Sequence, residues 1–314
     1  MKKLLIKSLL IITIALVSVI IKILISNFSD LRQLSYKVIP FNNVSNSICF
    51  KAKLDQMPIS HNFKSCTFLI AGSSMSLNDI SGKIIANRTN ECVYNISSWG
   101  FKPVQTIEFL NLIKNNKLKY IFIAFNNIDF GKADVNIDFK ATDAYLNGNK
   151  LIKYWGVINK FNFNTFSKDL HYRYRFSSIT NSYESIAFDE FGSAQLDHEG
   201  FEISKKRWDT YQDTTGFGYF YNSVNTLGIV CKQRKINLIL VYLPCRPNLQ
   251  SAQNIIQNQA VSKVLKKRFG NAFIDIQNIH IPISQYCDAT HLFREGAENI
   301  TNLIIDSLNK SVFR

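Results

Sequence analysis

Five short apolar runs, each closed by turn residues, set the tightest limit on how this chain can fold. They are CTFLIAG (66–72), CVYNIS (92–97), KYIFIAF (119–125), INLILVYL (236–243) and AFIDI (272–276). Runs this short, apolar throughout rather than alternating, are the pattern of strands buried on both faces. Helix-period segments lie between and after them: Pro103 to about Lys114, Ser223 to Arg234, Ala252 to Phe269, and Arg294 to about Leu308. The first places Pro at its opening turn, where the missing N–H costs nothing, and repeats apolar residues at Val104, Ile107, Phe109, Leu110 and Ile113. Strands alternating with helices predict an α/β fold, a three-layer α/β/α sandwich around a parallel sheet. In such sheets the ligand site lies outside the carboxyl ends of the strands.

One stretch departs from this rhythm. From about 131 to 220 no strand–helix alternation is visible, and aromatic residues crowd segments such as KYWGVINKFNFNTF and HYRYRF. It is expected to be an insertion between the third and fourth strands, forming a lid, a partner surface or extra packing against the core. The expected organisation is therefore an N-terminal segment (1–26), a linker with first local elements (27–63), and an α/β domain (64–314) carrying the insertion.

The N-terminal segment, MKKLLIKSLLIITIALVSVIIKILI, is apolar on every helical face, with Lys7 and Lys22 near its ends. With flanks included, its length as a helix is about 30 Å, enough to cross a bilayer core. The lysines before it favour a cytoplasmic N-terminus. No small-x-small cleavage site follows it. The expectation is an uncleaved signal anchor, a single-pass membrane protein with its main domain extracytoplasmic, periplasmic or extracellular.

The chain carries a formal net charge of +14, which raises the question of nucleic acid. Its Lys and Arg are scattered, and neither zinc-finger spacing nor an RNA-binding aromatic motif is present, so no nucleic-acid partner is expected. A basic surface suits an anionic membrane or acidic glycan equally well. Six cysteines, Cys49, Cys66, Cys92, Cys231, Cys245 and Cys287, are widely spaced without a CxxC. Their spacing leaves disulfides and buried thiols both open.

Two motifs carry chemistry. Gly72-Ser73-Ser74 directly follows the first strand, where a tight turn into a helix lifts a hydroxyl into the crevice above the sheet. Asp288-Ala-Thr-His291 lies just before the last helix, and that spacing lets a carboxylate orient an imidazole on one loop. The loop follows the fifth strand, which brings it to the same sheet edge as Ser74. Arg246, in YLPCRP after the fourth strand, is a candidate for holding an acidic substrate group. His198, in DHEG, reads as a polar turn, and His171 as packing or a basic surface group.

The order of these blocks resembles SGNH/GDSL hydrolases. The resemblance runs from about Cys66 to the end, outside the insertion, and implies a flavodoxin-like sheet. It implies Ser74 as nucleophile, Gly100 of YNISSWG as an oxyanion-hole glycine, Asn126 of AFNN as an oxyanion-hole amide, and Asp288 and His291 completing the triad. Asn127 and Ser98 are alternates for the oxyanion hole, and Asp129 for a supporting role. Ser73 stands where the family has Asp, Ala124 where it has Gly, and Asn127 where it has Asp. Membrane-anchored members that acetylate alginate or cell-wall glycans, and the D-alanine transfer protein of teichoic acids, share the Gly-Ser-Ser block. The function implied is a serine esterase or O-acyltransferase acting on acyl esters of an envelope polysaccharide, without metal or organic cofactor. Its implied partners are an acylated glycan or acyl donor, the membrane, and a multispanning membrane acyltransferase. A catalytically silent assembly protein and a lipase or thioesterase are the competing readings.

Overall fold

The computed structural model describes residues 2–27, 65–113, 115–131, 188–198 and 212–311, with isolated positions at 46, 49–50, 53–54, 57, 137, 139 and 142–143. Most of the expected linker, His171 and the bulk of the insertion lie outside the described residues. The chain divides into two units, one holding residues 1–39 and 140–179, the other 40–139 and 180–314.

Within the second unit, five strands form one sheet: β1 (Phe68–Ile70), β2 (Val93–Asn95), β3 (Tyr120–Phe125), β4 (Asn237–Tyr242) and β5 (Phe273–Asp275). Their order is β2-β1-β3-β4-β5 and every pairing is parallel. This is the flavodoxin-like order, which reverses direction between β1 and β3. The registers Phe68 opposite Val93 and Tyr120 opposite Asn237 align the strand ends. The turns after β1, β2, β3 and β4 therefore open on one edge. Each strand lies inside its apolar run, trimmed where the chain turns away from its neighbour.

Helices cover both faces, as α/β patterning requires. On one face Phe68, Ile70, Phe122, Ala124, Ile239 and Val241 pack with Ile85 of α3 (Gly82–Thr89) and with Ala297, Ile300, Ile304 and Leu308 of α7 (Arg294–Ser311). On the other, α4 (Pro103–Leu112) packs on α5 (Phe217–Gln233). There the Phe125 ring lies 4.6 Å from Phe220 and 4.9 Å from Tyr242, centroid to centroid. Such aromatic pairs contribute about 0.5–1.5 kcal/mol each beyond their burial. Helix α2 (Ser74–Asn78) is a single turn after β1, and α6 (Ala252–Phe269) packs on β5.

Helix α5 begins at Phe217 rather than Ser223. Its cap is Gly216, at φ +88, where a Cβ would lie 2.6 Å from the Phe130 carbonyl oxygen. The side-chain cap that announces most helix starts is absent, so the sequence conceals this one.

Of the expected insertion, residues 188–198 pack on the α/β domain, one of the alternatives expected for it: Asn95 N–H donates to the Phe191 carbonyl at 2.7 Å, and Arg294 N–H to the Leu196 carbonyl at 2.7 Å. Lys53 locks the segment in place. Its fully buried amine donates to the carbonyls of Asn95, at 3.0 Å, and Gly192, and lies 3.9 Å from the Phe188 ring centroid. Burial lowers this amine to about 7.

In the first unit, α1 spans Lys2–Asn27. Its large apolar side chains from Ile6 to Ile21 are exposed to between 38% and 67%. The expected membrane-spanning anchor over 1–26 is not supported, because among the described residues no helix is long and apolar enough to cross a membrane.

Candidate active site

The turn after β1 is built around Gly72. At φ +125 it adopts a backbone that disfavours side chains, and a Cβ there would lie 2.8 Å from Ser76 Oγ. Ser76 Oγ in turn donates to the Ala124 carbonyl at 2.8 Å and accepts from Ala124 N–H at 2.9 Å, fastening the turn to β3. Ser73 caps α2, its hydroxyl accepting from Met75 N–H at 3.2 Å, which leaves Ser74 as the first helical residue. A first-turn N–H has no intrahelical acceptor, and that of Ser74 makes no hydrogen bond among the described residues.

The Asp288–His291 turn holds itself together. Asp288 Oδ1 accepts from the N–H groups of Thr290 and His291, both at 2.7 Å. Its Oδ2 lies 2.8 Å from His291 Nδ1, and His291 Nε2 lies 2.8 Å from Ser74 Oγ. Asp288 and His291 are buried and Ser74 is half-buried. A hydroxyl, an imidazole and a carboxylate thus stand in one hydrogen-bonded line, an arrangement suited to drawing a proton from the hydroxyl as it attacks.

Three buried carboxylates crowd this imidazole. Burial opposes its charge, but the charge and hydrogen bond of Asp288, followed by Asp79 and Asp129, outweigh burial and raise His291 to about 9. Asp79 went unnoticed in the sequence. It is fully buried at the end of α2, its Oδ1 accepts from Leu292 N–H at 3.0 Å, and burial pushes its carboxyl up to about 8. Its signal was that it is the sole acidic residue between Cys66 and Asn90. Burial also raises Asp129, against the pull of Lys102, whose amine is 3.7 Å away, and of Ser73.

The expected oxyanion groups divide. Gly100 sits in the turn after β2 at φ +67, and its N–H makes no hydrogen bond among the described residues. That turn is tied to the Ser74 turn by Ser98 N–H donating to the Gly72 carbonyl at 3.1 Å. Asn126 is different. It is fully buried, and its amide NH2 donates to the carbonyls of Leu243, at 3.1 Å, and Pro244, at 3.2 Å. Both donors are used in joining the ends of β3 and β4, so the Asn126 amide does not offer a hydrogen to the Ser74 site. Asn127 is no substitute, since its NH2 donates to the Gln212 carbonyl at 3.0 Å and to Asn258 Oδ1 at 2.9 Å. The sequence locates these residues after β3 but does not say which way their side chains turn.

Arg246 lies after β4, its backbone N–H donating to the Ala289 carbonyl at 2.9 Å, which puts the residue at the rim of the Asp288–His291 turn. His198 stacks on Phe293, centroids 3.7 Å apart, two residues beyond His291. Among the described residues no cluster of His, Cys, Asp and Glu is arranged to hold a metal ion. A cleft of about 700 Å³ opens at the amino end of β4, lined by Lys232, Lys235, Arg268 and Phe269. It lies at the edge of the sheet opposite the hydrogen-bonded line from Ser74 to Asp288. Neither a family model nor a curated protein matches this chain.

Proposed function

We propose that this protein is a serine esterase or O-acyltransferase of the SGNH/GDSL type, working on acyl esters of an envelope polysaccharide through an acyl-enzyme. The observation that carries the reading is the line Ser74–His291–Asp288, with both contacts at 2.8 Å, at the carboxyl edge of a parallel sheet beside its switch point. His291 takes the Ser74 proton as Oγ attacks the ester carbonyl. The N–H groups of Ser74 and Gly100 stabilise the tetrahedral oxyanion, each donor contributing about 3 kcal/mol to the transition state. His291 then returns the proton to the leaving alcohol. The acyl group passes to water or to a sugar hydroxyl activated by the same imidazole. Arg246 at the rim suits an acidic group on the glycan. The exposed apolar side chains of helix α1 suit attachment to a membrane, where a multispanning partner would supply the acyl group.

One observation favours a silent scaffold instead. With His291 raised to about 9, the imidazole is largely protonated at neutral pH and offers little base. Labelling the full chain in detergent with a fluorophosphonate, at neutral and alkaline pH, separates the two readings. Labelling that strengthens with pH and disappears in Ser74→Ala supports the enzyme. A folded chain that takes no label at either pH supports the scaffold.

A further inference from the structure

The two sulfurs at the foot of the sheet carry a different message. Cys66 precedes β1 and Cys92 precedes β2, and their Sγ atoms stand 2.7 Å apart, although all six cysteines are free in this structure. Unbonded sulfurs do not ordinarily approach so closely, whereas covalent bonding brings them to about 2.05 Å. The backbone on each side is fixed without help from the sulfurs. Thr67 N–H and Phe68 N–H both donate to the Cys92 carbonyl at 3.0 Å, and Asn115 Nδ2 donates to the Cys66 carbonyl at 2.7 Å. Thr67 Oγ1 adds a hydrogen bond to Glu91 Oε2 at 2.5 Å. The strands thus present the two thiols to each other at no further conformational cost. Cys66 is fully buried, whereas Cys92 is half-buried on the edge strand. The remaining thiols have other surroundings: Cys245 Sγ lies 3.2 Å from Asn126 Oδ1 and Cys287 Sγ 3.4 Å from the His291 carbonyl.

We propose that Cys66 and Cys92 are a disulfide-forming pair, oxidised in the working protein by thiol–disulfide exchange with an oxidised dithiol or a small-molecule disulfide. Cys92, the sulfur within reach of solvent, loses its proton and attacks the external disulfide, releasing one thiol of the oxidant. Burial and the adjacent Cys92 sulfur raise the Cys66 thiol, which fits it to the second role. Once deprotonated, it attacks the Cys92 sulfur of the mixed disulfide and releases the second thiol. Two protons and two electrons leave the pair, and the oxidant carries them away as two thiols. The bond closes a loop that contains the whole nucleophile turn, at the end of the strands remote from Ser74. The inference does not depend on the catalytic reading, and its success or failure leaves that reading untouched.

The test uses the full chain in detergent, equilibrated with an equal mixture of reduced and oxidised glutathione, alkylated, then digested with trypsin. The expected product is one linked pair of peptides, 65–83 with 89–114 (trypsin does not cut between Lys102 and Pro103), which separates on reduction, while Cys49, Cys231, Cys245 and Cys287 remain thiols. Reductant lowers the Tm of the wild type by about 5–10 °C, as expected for a loop of this length. The Cys66→Ser/Cys92→Ser double variant melts at one temperature with or without reductant. Alkylation of both cysteines after oxidised glutathione alone, or a link from either to a different cysteine, overturns the proposal.

Discussion

Replacing Asp288 with Asn alters one oxygen of the candidate triad and almost nothing of its shape. The amide oxygen keeps the two 2.7 Å hydrogen bonds from Thr290 and His291 N–H, so the turn survives. The change falls on the 2.8 Å contact to His291 Nδ1, where a carboxylate accepts and an NH2 group donates. Nδ1 must then accept, the ring proton moves to Nε2, and Nε2 donates to Ser74 Oγ across 2.8 Å instead of receiving its proton. A comparable tautomer error in a serine triad costs on the order of 10⁴ in rate, about 5.5 kcal/mol of barrier. A second effect acts in the other direction. Loss of the Asp288 charge lowers His291, so a larger share of the imidazole is neutral at pH 7, which raises the rate there. The comparison therefore belongs near pH ~9.5, where both imidazoles are mostly neutral and only the tautomer differs. The assay is the second-order rate of fluorophosphonate labelling, backed by hydrolysis of a short p-nitrophenyl ester and by Tm. Retention of more than about a tenth of the wild-type rate, with Tm unchanged, would refute the assignment of Asp288 as the orienting group.

Four more expectations follow, three of them around the triad. Base catalysis needs neutral His291, so a raised pKa moves the ascending limb of the rate–pH profile to the alkaline side of the usual histidine range. Asp79→Asn removes one of the carboxylates raising it and shifts that limb to lower pH; a limb that stays put means His291 does not feel Asp79. Asn126→Ala orphans two buried carbonyls, of Leu243 and Pro244, and lowers stability by about 2–4 kcal/mol in urea unfolding. Folded Asn126→Ala protein keeps kcat within about tenfold, whereas a 100-fold loss at full stability would return Asn126 to the oxyanion hole. Gly192→Ala, at φ +81 with a Cβ 2.5 Å from the Asn95 carbonyl oxygen, costs about 2–4 kcal/mol. An unmoved unfolding midpoint would mean the 188–198 segment is not held against β2.

The sheet was legible because burial on both faces leaves a strand no option but an apolar run, and all five runs contain their strands. Helix α6 matches its expected limits, Ala252 to Phe269, because Ser251 caps it by accepting from Asn254 N–H at 3.2 Å. The parallel order that groups Ser74 with the Asp288–His291 turn followed from the alternation itself. What escaped were facts of side-chain direction and long-range burial. Asn126 turns toward β4 because two carbonyls there need donors, and nothing local in AFNN encodes that need. Lys53 appears in sequence as one more surface charge, and only the carbonyls of Asn95 and Gly192, far along the chain, make its burial tolerable. Asp79 could have been suspected from its isolation among apolar and hydroxyl residues, but its place beside His291 is a tertiary fact.

The Asp288–His291 turn is tied to its surroundings largely through main-chain atoms. Arg246 N–H meets the Ala289 carbonyl, Cys287 N–H the His291 carbonyl, Phe293 N–H the Gln285 carbonyl and Arg294 N–H the Leu196 carbonyl. Such ties are indifferent to the side chains attached to them; at the donor positions only proline, which has no N–H, breaks them outright. Residues such as Arg246 and Gln285 can therefore be exchanged over evolutionary time without dismantling the turn they help to fix. Under the proposed function, selectivity would drift between lineages while the Ser74–His291–Asp288 line stays in place, and a library randomised at those positions would sample new acceptors on an undisturbed frame.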